Sequence, residues 1–213
     1  MAEQLHLLFN NKQGRAFCMS GDVIEVRMHG RGGQGVVSAA NLIAEIAFQS
    51  GYMPQSFPYF GAERRGAPII AFVRYSKESC LPRCRIYEPF CVVSFDAELP
   101  REPVLSGLKK EGILLLNGTG ELLDAWLEHT ESRRVFSLDA SRIAVNLGLV
   151  SSGMPLVSTT MVGALARVLS LGAPDLLKDI MSRKLARHVS ENIKAMYRGY
   201  NEVKEVRLDA SAG

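Results

Sequence analysis

Cysteine is scarce in this chain, and its spacing excludes the common cysteine-based metal sites. The 213 residues contain four cysteines, at positions 18, 80, 84 and 91, and no C-x-x-C pair occurs. Zinc ribbons bind their metal through such pairs, and ferredoxins bind their iron–sulfur clusters through them as well. We interpret Cys80 and Cys84 as two reduced thiols, and the sequence predicts no metal site.

Long apolar runs and a strong charge imbalance are missing too. No segment approaches the roughly 20 apolar residues that a membrane-spanning helix needs, and residues 1–10 lack the features of a secretory signal. The net charge is +3, from 25 basic and 22 acidic residues, which is too balanced to indicate a nucleic-acid-binding protein. These absences predict a cytoplasmic protein that binds neither a membrane nor nucleic acid.

Composition favours a single large domain. An apolar content of 47% is enough for one hydrophobic core in a chain of this length. Residues 1–21 are of mixed polarity and precede the first clear strand, so we predict an N-terminal arm there. Residues 207–213 are predicted to form a loose tail, which leaves one domain over residues 22–206.

A glycine-rich loop is the central feature of the chain. It spans residues 30–35, between a predicted strand at 23–29 and a predicted helix at 36–50, and Gly30, Gly32 and Gly35 satisfy G-x-G-x-x-G. Glycine lets a ligand approach the backbone closely, and the first amides of the following helix have no partner inside it. The loop is therefore predicted to bind a phosphate or pyrophosphate group.

Strands and helices alternate along the rest of the domain. Short runs of β-forming residues predict strands at 52–57, 69–75, 91–96, 112–117 and 134–139. Helical periodicity predicts helices at 97–109, 120–129, 140–148, 155–171, 174–185 and 187–206. This alternation predicts an α/β, Rossmann-like fold in which a mostly parallel sheet carries helices on both faces.

The acid that an NAD site requires is absent. A Rossmann domain that binds NAD carries Asp or Glu about 20 residues beyond the loop, at the end of the second strand, but no acid lies between Gln49 and Ala62. NADP stays open, since Arg64 or Arg65 would suit its 2′-phosphate. The sequence therefore predicts an anionic, nucleotide-like ligand and does not support NAD.

Basic residues are concentrated just after this position. Residues 58–68 form a predicted exposed loop rich in proline, glycine and aromatic residues. Between positions 64 and 85 the single acid is Glu78, and the basic residues are Arg64, Arg65, Arg74, Lys77, Arg83 and Arg85. Two interpretations stay open: a solvated basic surface, or an anion-binding rim beside the glycine loop.

The sequence predicts no catalytic residue. His29 precedes the loop, where a general base is conceivable, but a histidine at a strand end is more often structural. Asp96 and Asp139 end predicted strands, a position typical of helix-capping acids. Trp126 is interpreted as a core residue.

Three stretches resemble a known family: GRGGQGVV at 30–37, FPYFGAERRGAP at 57–68 and AFVR at 71–74. Shorter similarities follow at 88–89, 159–166 and 192–200. Over residues 22–205 the chain is similar to the gamma subunit of 2-oxoacid:ferredoxin oxidoreductases, especially the pyruvate and 2-ketoisovalerate branch. Where members of that family often carry Asn before the stretch at 159–166, this chain has Ser158.

The resemblance implies one subunit of a complex that converts a 2-oxoacid and CoA to acyl-CoA and CO2 and passes electrons to ferredoxin. Thiamine diphosphate, Mg2+ and iron–sulfur clusters would belong to the partner alpha, beta and ferredoxin-like delta subunits. This chain would supply CoA binding and dock against its partners. The alternatives are a purely structural subunit of that complex and an NADP-binding domain.

The resemblance also implies a set of CoA-binding residues. The loop amides suit the pyrophosphate of CoA, and the guanidinium groups of the 58–68 loop suit its 3′-phosphate. Gln34 and Asn117 are candidates for further hydrogen bonds. The predicted CoA-binding residues are Gly30, Arg31, Gly32, Gly33, Gln34, Gly35, Val36, Arg64, Arg65 and Asn117.

Overall fold

The computed structural model describes residues 23–59, 67–77, 84–131 and 134–206. The predicted N-terminal arm and C-terminal tail lie outside these ranges, and so do Arg64, Arg65 and Arg83. The strands are β1 (Ile24–Arg31), β2 (Met53–Tyr59), β3 (Pro68–Ser76), β4 (Cys91–Ser94), β5 (Ile113–Asn117), β6 (Arg134–Leu138), β7 (Val150–Ser151), β8 (Met154–Pro155) and β9 (Lys204–Val206). The helices are α1 (Val36–Gln49), α2 (Arg101–Leu105), α3 (Glu121–Leu127), α4 (Ala140–Asn146), α5 (Ser158–Val168), α6 (Pro174–Lys184) and α7 (Val189–Glu202).

A seven-stranded sheet in the order β2-β3-β1-β4-β5-β6-β9 forms the centre of the described fold. β1, β4, β5 and β6 pair in parallel, whereas β3 and β9 are antiparallel to their central neighbours. β2 is antiparallel to β3 and so follows the direction of β1. Five of the seven strands thus share one direction, which confirms the mostly parallel, Rossmann-like α/β fold.

Both faces of the sheet are covered, because successive residues of a strand point to opposite sides. Val93 and Leu115 pack into a large core with α1, α4, α5, α6 and α7. Their neighbours Val92 and Leu114 pack on the other face with α2 and α3. Trp126 is fully buried in this second core, as predicted, and its Nε1 donates a hydrogen bond to the Ala97 carbonyl at 2.8 Å.

Several predicted boundaries were wrong. The helix predicted over 187–206 ends at Glu202, and β9 then adds an antiparallel edge strand to β6. The helix predicted over 97–109 is limited to α2, which begins after Pro100. β2 continues through Pro58, which an edge strand tolerates because its outer side forms no ladder bonds. The hairpin β7–β8 occupies the start of the helix predicted over 155–171, so α5 begins only at Ser158.

Helices α5 and α7 pack with their backbones close together at two glycines. A Cβ atom built at Gly163 would lie 2.1 Å from the Met196 carbonyl oxygen, and one at Gly199 would lie 2.0 Å from the Thr160 carbonyl oxygen. Each helix therefore contributes one glycine that admits the backbone of the other.

Within the described residues, no helix combines the length and apolar character needed to cross a membrane.

Candidate functional site

The glycine loop lies where β1 meets α1, as predicted. Gly33 and Gly35 have φ angles of 103° and 79°, which glycine adopts without the steric cost of a side chain. The first helical hydrogen bond runs from the Ala39 amide to the Gly35 carbonyl at 2.9 Å. The amides of Val36 and the next two residues precede that bond, so they stand at the positive end of the helix dipole. This arrangement suits an anion.

Hydrogen bonds within the chain hold the loop in shape. The Gln34 Oε1 atom accepts from the Arg31 amide at 2.7 Å, and the Gln34 amide donates to the Arg31 carbonyl at 3.1 Å. The Gly32 amide donates to the Ala67 carbonyl at 2.9 Å. One side-chain oxygen and three amides of the predicted ligand set therefore serve the loop itself. The capacity of the loop to bind an anion rests on the amides of Gly33, Gly35 and Val36.

The loop also packs against elements distant in sequence. A Cβ at Gly30 would lie 2.5 Å from Val36 Cγ2, and one at Gly35 would lie 2.8 Å from the Cβ of Ser158, the first residue of α5. A Cβ at Gly33 would contact Met154 Sδ in β8 at 3.6 Å. The loop thus fits between α1, the hairpin β7–β8 and α5. Nothing in the residue pattern predicts the last two contacts.

An ion pair lies beside the loop, at the ends of β1 and β4. The Nε atom of Arg31 donates to Asp96 Oδ2 at 2.6 Å. Asp96 Oδ1 accepts from the Glu98 amide at 2.9 Å. The prediction that Asp96 caps a helix was wrong, because α2 begins only at Arg101. The same prediction was right for Asp139, which accepts from the Arg142 amide at the start of α4.

Asn117, at the end of β5, uses its amide group within the chain. Its Nδ2 donates to the Phe95 carbonyl at 2.8 Å and to Ser141 Oγ at 2.9 Å. Its Oδ1 accepts from the amides of Ala140 and Ser141. These bonds connect the ends of β4 and β5 with the start of α4. A structural role thus accounts for Asn117, and its predicted contact with CoA stays a prediction.

The direction of β3 explains the missing NAD acid. In a Rossmann domain the strand that carries the acid is parallel to β1 and ends at the same edge. Here the neighbour on that side is β3, which is antiparallel and starts at this edge with Pro68 opposite Arg31. An NAD-binding domain has an acid at the end of a strand beside the loop. Here the first residues of β3 occupy that place.

The basic stretch separates into buried and exposed residues. Arg74 is 1% exposed and pairs with Glu25 at 2.7 Å across β1 and β3, so its assignment to a surface rim was wrong. Arg85 is exposed, and its guanidinium lies 3.6 Å from the centroid of the Tyr59 ring. Lys77 lies over Tyr52 in a similar way. The described basic residues of this stretch therefore do not form one continuous surface.

His29 has a structural role. It is 5% exposed, and its Nε2 accepts a hydrogen bond from Arg27 Nε at 2.9 Å. Burial and the neighbouring Arg27 charge lower the pKa of His29 from 6.5 to about 3. Arg27 in turn donates to the carbonyls of Val104 and Ser106 at the end of α2. A histidine that is neutral and enclosed in this way is not poised to act as a base at neutral pH.

This pKa predicts an acid-dependent loss of stability. The pKa of His29 is about 3 in the folded chain, below its unfolded value of 6.5. Between these two pH values the unfolded chain therefore binds a proton at this residue that the folded chain does not bind. The contribution of neutral His29 to the free energy of unfolding is fully present above about pH 6.5 and falls by up to ~1.4 kcal/mol per pH unit below it. We expect His29→Gln, which keeps an acceptor for Arg27, to flatten this slope in urea unfolding measured between pH 4.5 and 7. Equal slopes for the variant and the parent chain would contradict the assignment.

Comparison with known proteins identifies the family. The family model for pyruvate ferredoxin/flavodoxin oxidoreductase matches residues 25–202. The chain belongs to this family. It is 40% identical over 186 residues to the pyruvate synthase subunit PorC of Methanocaldococcus jannaschii, covering 85% of this chain and 97% of that one. It is 37% identical over 193 residues to the common gamma subunit of the Pyrococcus furiosus pyruvate/ketoisovalerate oxidoreductases, covering 87% of this chain and 100% of that subunit.

Solved structures of the family agree with this fold. The pyruvate oxidoreductase subunit PORC of Thermotoga maritima has a TM-score of 0.74 and 31% identity, over 87% of this chain and 99% of that one. A 2-oxoglutarate:ferredoxin oxidoreductase chain from Magnetococcus marinus has a TM-score of 0.65. This chain covers 32% of it at 19% identity, so the likeness shows the fold alone.

These findings confirm the resemblance inferred from the motifs. The chain is a gamma subunit of a pyruvate/ketoisovalerate-type 2-oxoacid:ferredoxin oxidoreductase, a multisubunit enzyme. Its function is therefore exercised together with other subunits.

Proposed function

We propose that this gamma subunit binds CoA at the glycine loop and presents it to an active site completed by the partner subunits. The complex converts a 2-oxoacid, such as pyruvate, and CoA to acyl-CoA and CO2, with electrons passed to ferredoxin. The observation that carries the proposal is the start of helix α1 at the carboxyl edge of β1, with a geometry that suits an anion and without an NAD acid beside it.

The chemistry of CoA fits this edge of the sheet. Its pyrophosphate needs hydrogen-bond donors, and the amides of Gly33, Gly35 and Val36 precede the first helical hydrogen bond of α1. A guanidinium group adjoins them, since Arg31 lies at the end of β1 with its side chain 33% exposed. The Magnetococcus marinus structure is described as having CoA and succinyl-CoA bound. That protein supports the choice of ligand but provides no contacts for this chain.

We assign the 3′-phosphate of CoA to Arg64 and Arg65. Both lie outside the described residues, so the assignment rests on the FPYFGAERRGAP stretch and on the chemistry of guanidinium and phosphate groups. The Ala67 carbonyl, near the end of this stretch, accepts from the Gly32 amide of the loop. This bond brings the end of the arginine stretch beside the proposed pyrophosphate site.

We assign the other cofactors to the partner alpha, beta and ferredoxin-like delta subunits. Within the described ranges no three His, Cys, Asp or Glu side chains are grouped to hold a metal ion. Bound in a partner, thiamine diphosphate supplies the decarboxylation chemistry. The gamma subunit then contributes the binding and orientation of CoA.

Replacement of the two arginines tests this assignment. In the assembled complex we expect Arg64→Ala with Arg65→Ala to raise the KM for CoA about tenfold or more, because two charge-assisted contacts are lost. The KM for 3′-dephospho-CoA should not change, since that ligand lacks the phosphate concerned. Steady-state kinetics with both ligands measures this difference. The half-reaction of the 2-oxoacid without CoA should stay at the parent rate.

The same variant distinguishes the alternatives. If the arginines serve only assembly, the variant chain should fail to co-purify with its partners at any CoA concentration. If KM rises equally for CoA and 3′-dephospho-CoA, the arginines do not bind the 3′-phosphate. Saturable NADPH binding in an equilibrium titration would favour the NADP-binding alternative.

A further inference from the structure

Arg31 and Asp96 meet between two strands, β1 and β4, whose following helices pack on opposite faces of the sheet. β1 and β4 are adjacent and parallel. The helix after β1 packs on one face of the sheet, and α2, which follows β4, packs on the other. In open α/β sheets such a switch point forms a crevice at the carboxyl ends of the strands, where ligands bind. The Arg31–Asp96 pair spans this crevice beside the glycine loop.

Both partners of the ion pair are held in place. Gln34 fixes the Arg31 backbone on both sides, because its side-chain oxygen accepts from the Arg31 amide and its own amide donates to the Arg31 carbonyl. The second carboxylate oxygen of Asp96 accepts from the Glu98 amide, and the Ser94 hydroxyl donates to the Asp96 carbonyl at 2.8 Å. The Asp96 side chain is 14% exposed, against 33% for Arg31. The carboxylate is thus largely covered, while the guanidinium is open to a ligand.

The geometry leaves Arg31 able to bind a second anion. A guanidinium group has five N–H donors, and the bond to Asp96 uses Nε. The four donors on the two Nη atoms match the oxygens of a phosphate group. A fixed guanidinium loses less conformational entropy on binding than a free one does.

We propose that Asp96 is a positioning residue for CoA: its carboxylate holds Nε of Arg31, so that the Nη atoms donate to a CoA pyrophosphate oxygen bound at residues 33–36. This inference rests on the proposed function of the loop and adds a residue to it. From the sequence alone Asp96 is interpreted as a helix cap, so this role appears only with the contact between β1 and β4.

Electrostatics and positioning predict opposite results for the loss of Asp96. The carboxylate is negative and close to the proposed phosphate site, so charge alone predicts tighter CoA binding after its removal. Positioning predicts weaker binding, because the guanidinium is no longer oriented. The direction of the change in KM therefore distinguishes the two.

The test uses the assembled complex with the variants Asp96→Ala, Asp96→Asn, Asp96→Glu and Arg31→Ala. We expect Asp96→Ala and Arg31→Ala to raise the KM for CoA about tenfold each, the scale of one charge-assisted hydrogen bond, with kcat unchanged. The double variant Arg31→Ala with Asp96→Ala should have a KM for CoA no higher than that of Arg31→Ala, because Asp96 acts through Arg31. Asp96→Asn keeps an oxygen acceptor for Nε and should raise KM less.

The matched control is Asp139→Asn, since Asp139 lies at the end of β6 on the same edge of the sheet and caps α4. Its KM for CoA should equal that of the parent complex. If Asp96→Ala does not assemble, Asp96→Asn and Asp96→Glu decide the question.

Failure of the inference and failure of the proposed function give different results. An increase in KM with Arg31→Ala but an equal or lower KM with every Asp96 variant overturns the positioning role and leaves CoA binding at the loop intact. An unchanged KM with Arg31→Ala overturns the positioning role as well. If Gly35→Ala also leaves KM unchanged, the loop does not bind CoA and the proposed function falls with it.

Discussion

Gly163→Ala and Gly199→Ala are each expected to lower the free energy of unfolding by about 3 kcal/mol, among the larger effects of adding one methyl group to a packed interior. The added Cβ would lie 2.1 Å or 2.0 Å from a carbonyl oxygen of the facing helix. Backbone atoms cannot turn aside as a flexible side chain can, so α5 and α7 must move apart. The higher helix propensity of alanine offsets only about 1 kcal/mol of this cost.

Urea unfolding of the full chain measures the effect. Gly153→Ala is a suitable control, because it adds a Cβ with no atom within 4 Å and carries only the cost of a positive φ angle. That cost is about 1–2 kcal/mol. If the free energy of unfolding falls by a similar amount in all three variants, α5 and α7 accommodate the methyl group without this cost. Because α5 begins against the glycine loop, we also expect the two helix variants to weaken CoA binding by the complex.

Gly35→Ala is expected to raise the KM for CoA about 100-fold, the scale of an ångström-sized displacement in a binding site. Gly35 has a φ angle of 79°, and its added Cβ would lie 2.8 Å from Ser158 Cβ. The start of α1 and the start of α5 must separate, which moves the amides of residues 33–36. Steady-state kinetics of the assembled complex with varied CoA measures the change.

A second-site variant separates the two causes of this effect. Ser158→Gly removes the side-chain atoms that the new methyl group would meet, so Gly35→Ala with Ser158→Gly should recover most of the affinity for CoA. The remaining deficit reflects the positive φ angle, which costs about 1–2 kcal/mol for a residue with a Cβ. Ser158→Gly alone is the control. If the double variant binds CoA no better than Gly35→Ala, contact with α5 does not shape the loop.

Much of the fold could be predicted because its signals are local. The glycine loop was correctly placed between β1 and α1, since β-forming residues, positive-φ glycines and apolar residues at helical spacing act over a few neighbours each. The short apolar runs of β4 and β5 predicted buried parallel strands for the same reason. Boundaries were less accurate, as at residues 203–206, where an extended segment replaces the last turn of the predicted helix because β6 offers it a pairing edge.

The sequence by itself determined the fold class, the position of the loop, the absence of an NAD acid and, through its motifs, the family. The tertiary structure alone decided that Arg74 is buried against Glu25, that Asp96 binds Arg31, and that Ser158 confines Gly35. Each of these contacts joins residues at least 49 positions apart. Such contacts form only when strand order and helix packing bring the two segments together, and residue spacing along the chain carries no record of that order. The glycine loop is thus a local feature, while the partners that shape it are set by the topology of the sheet.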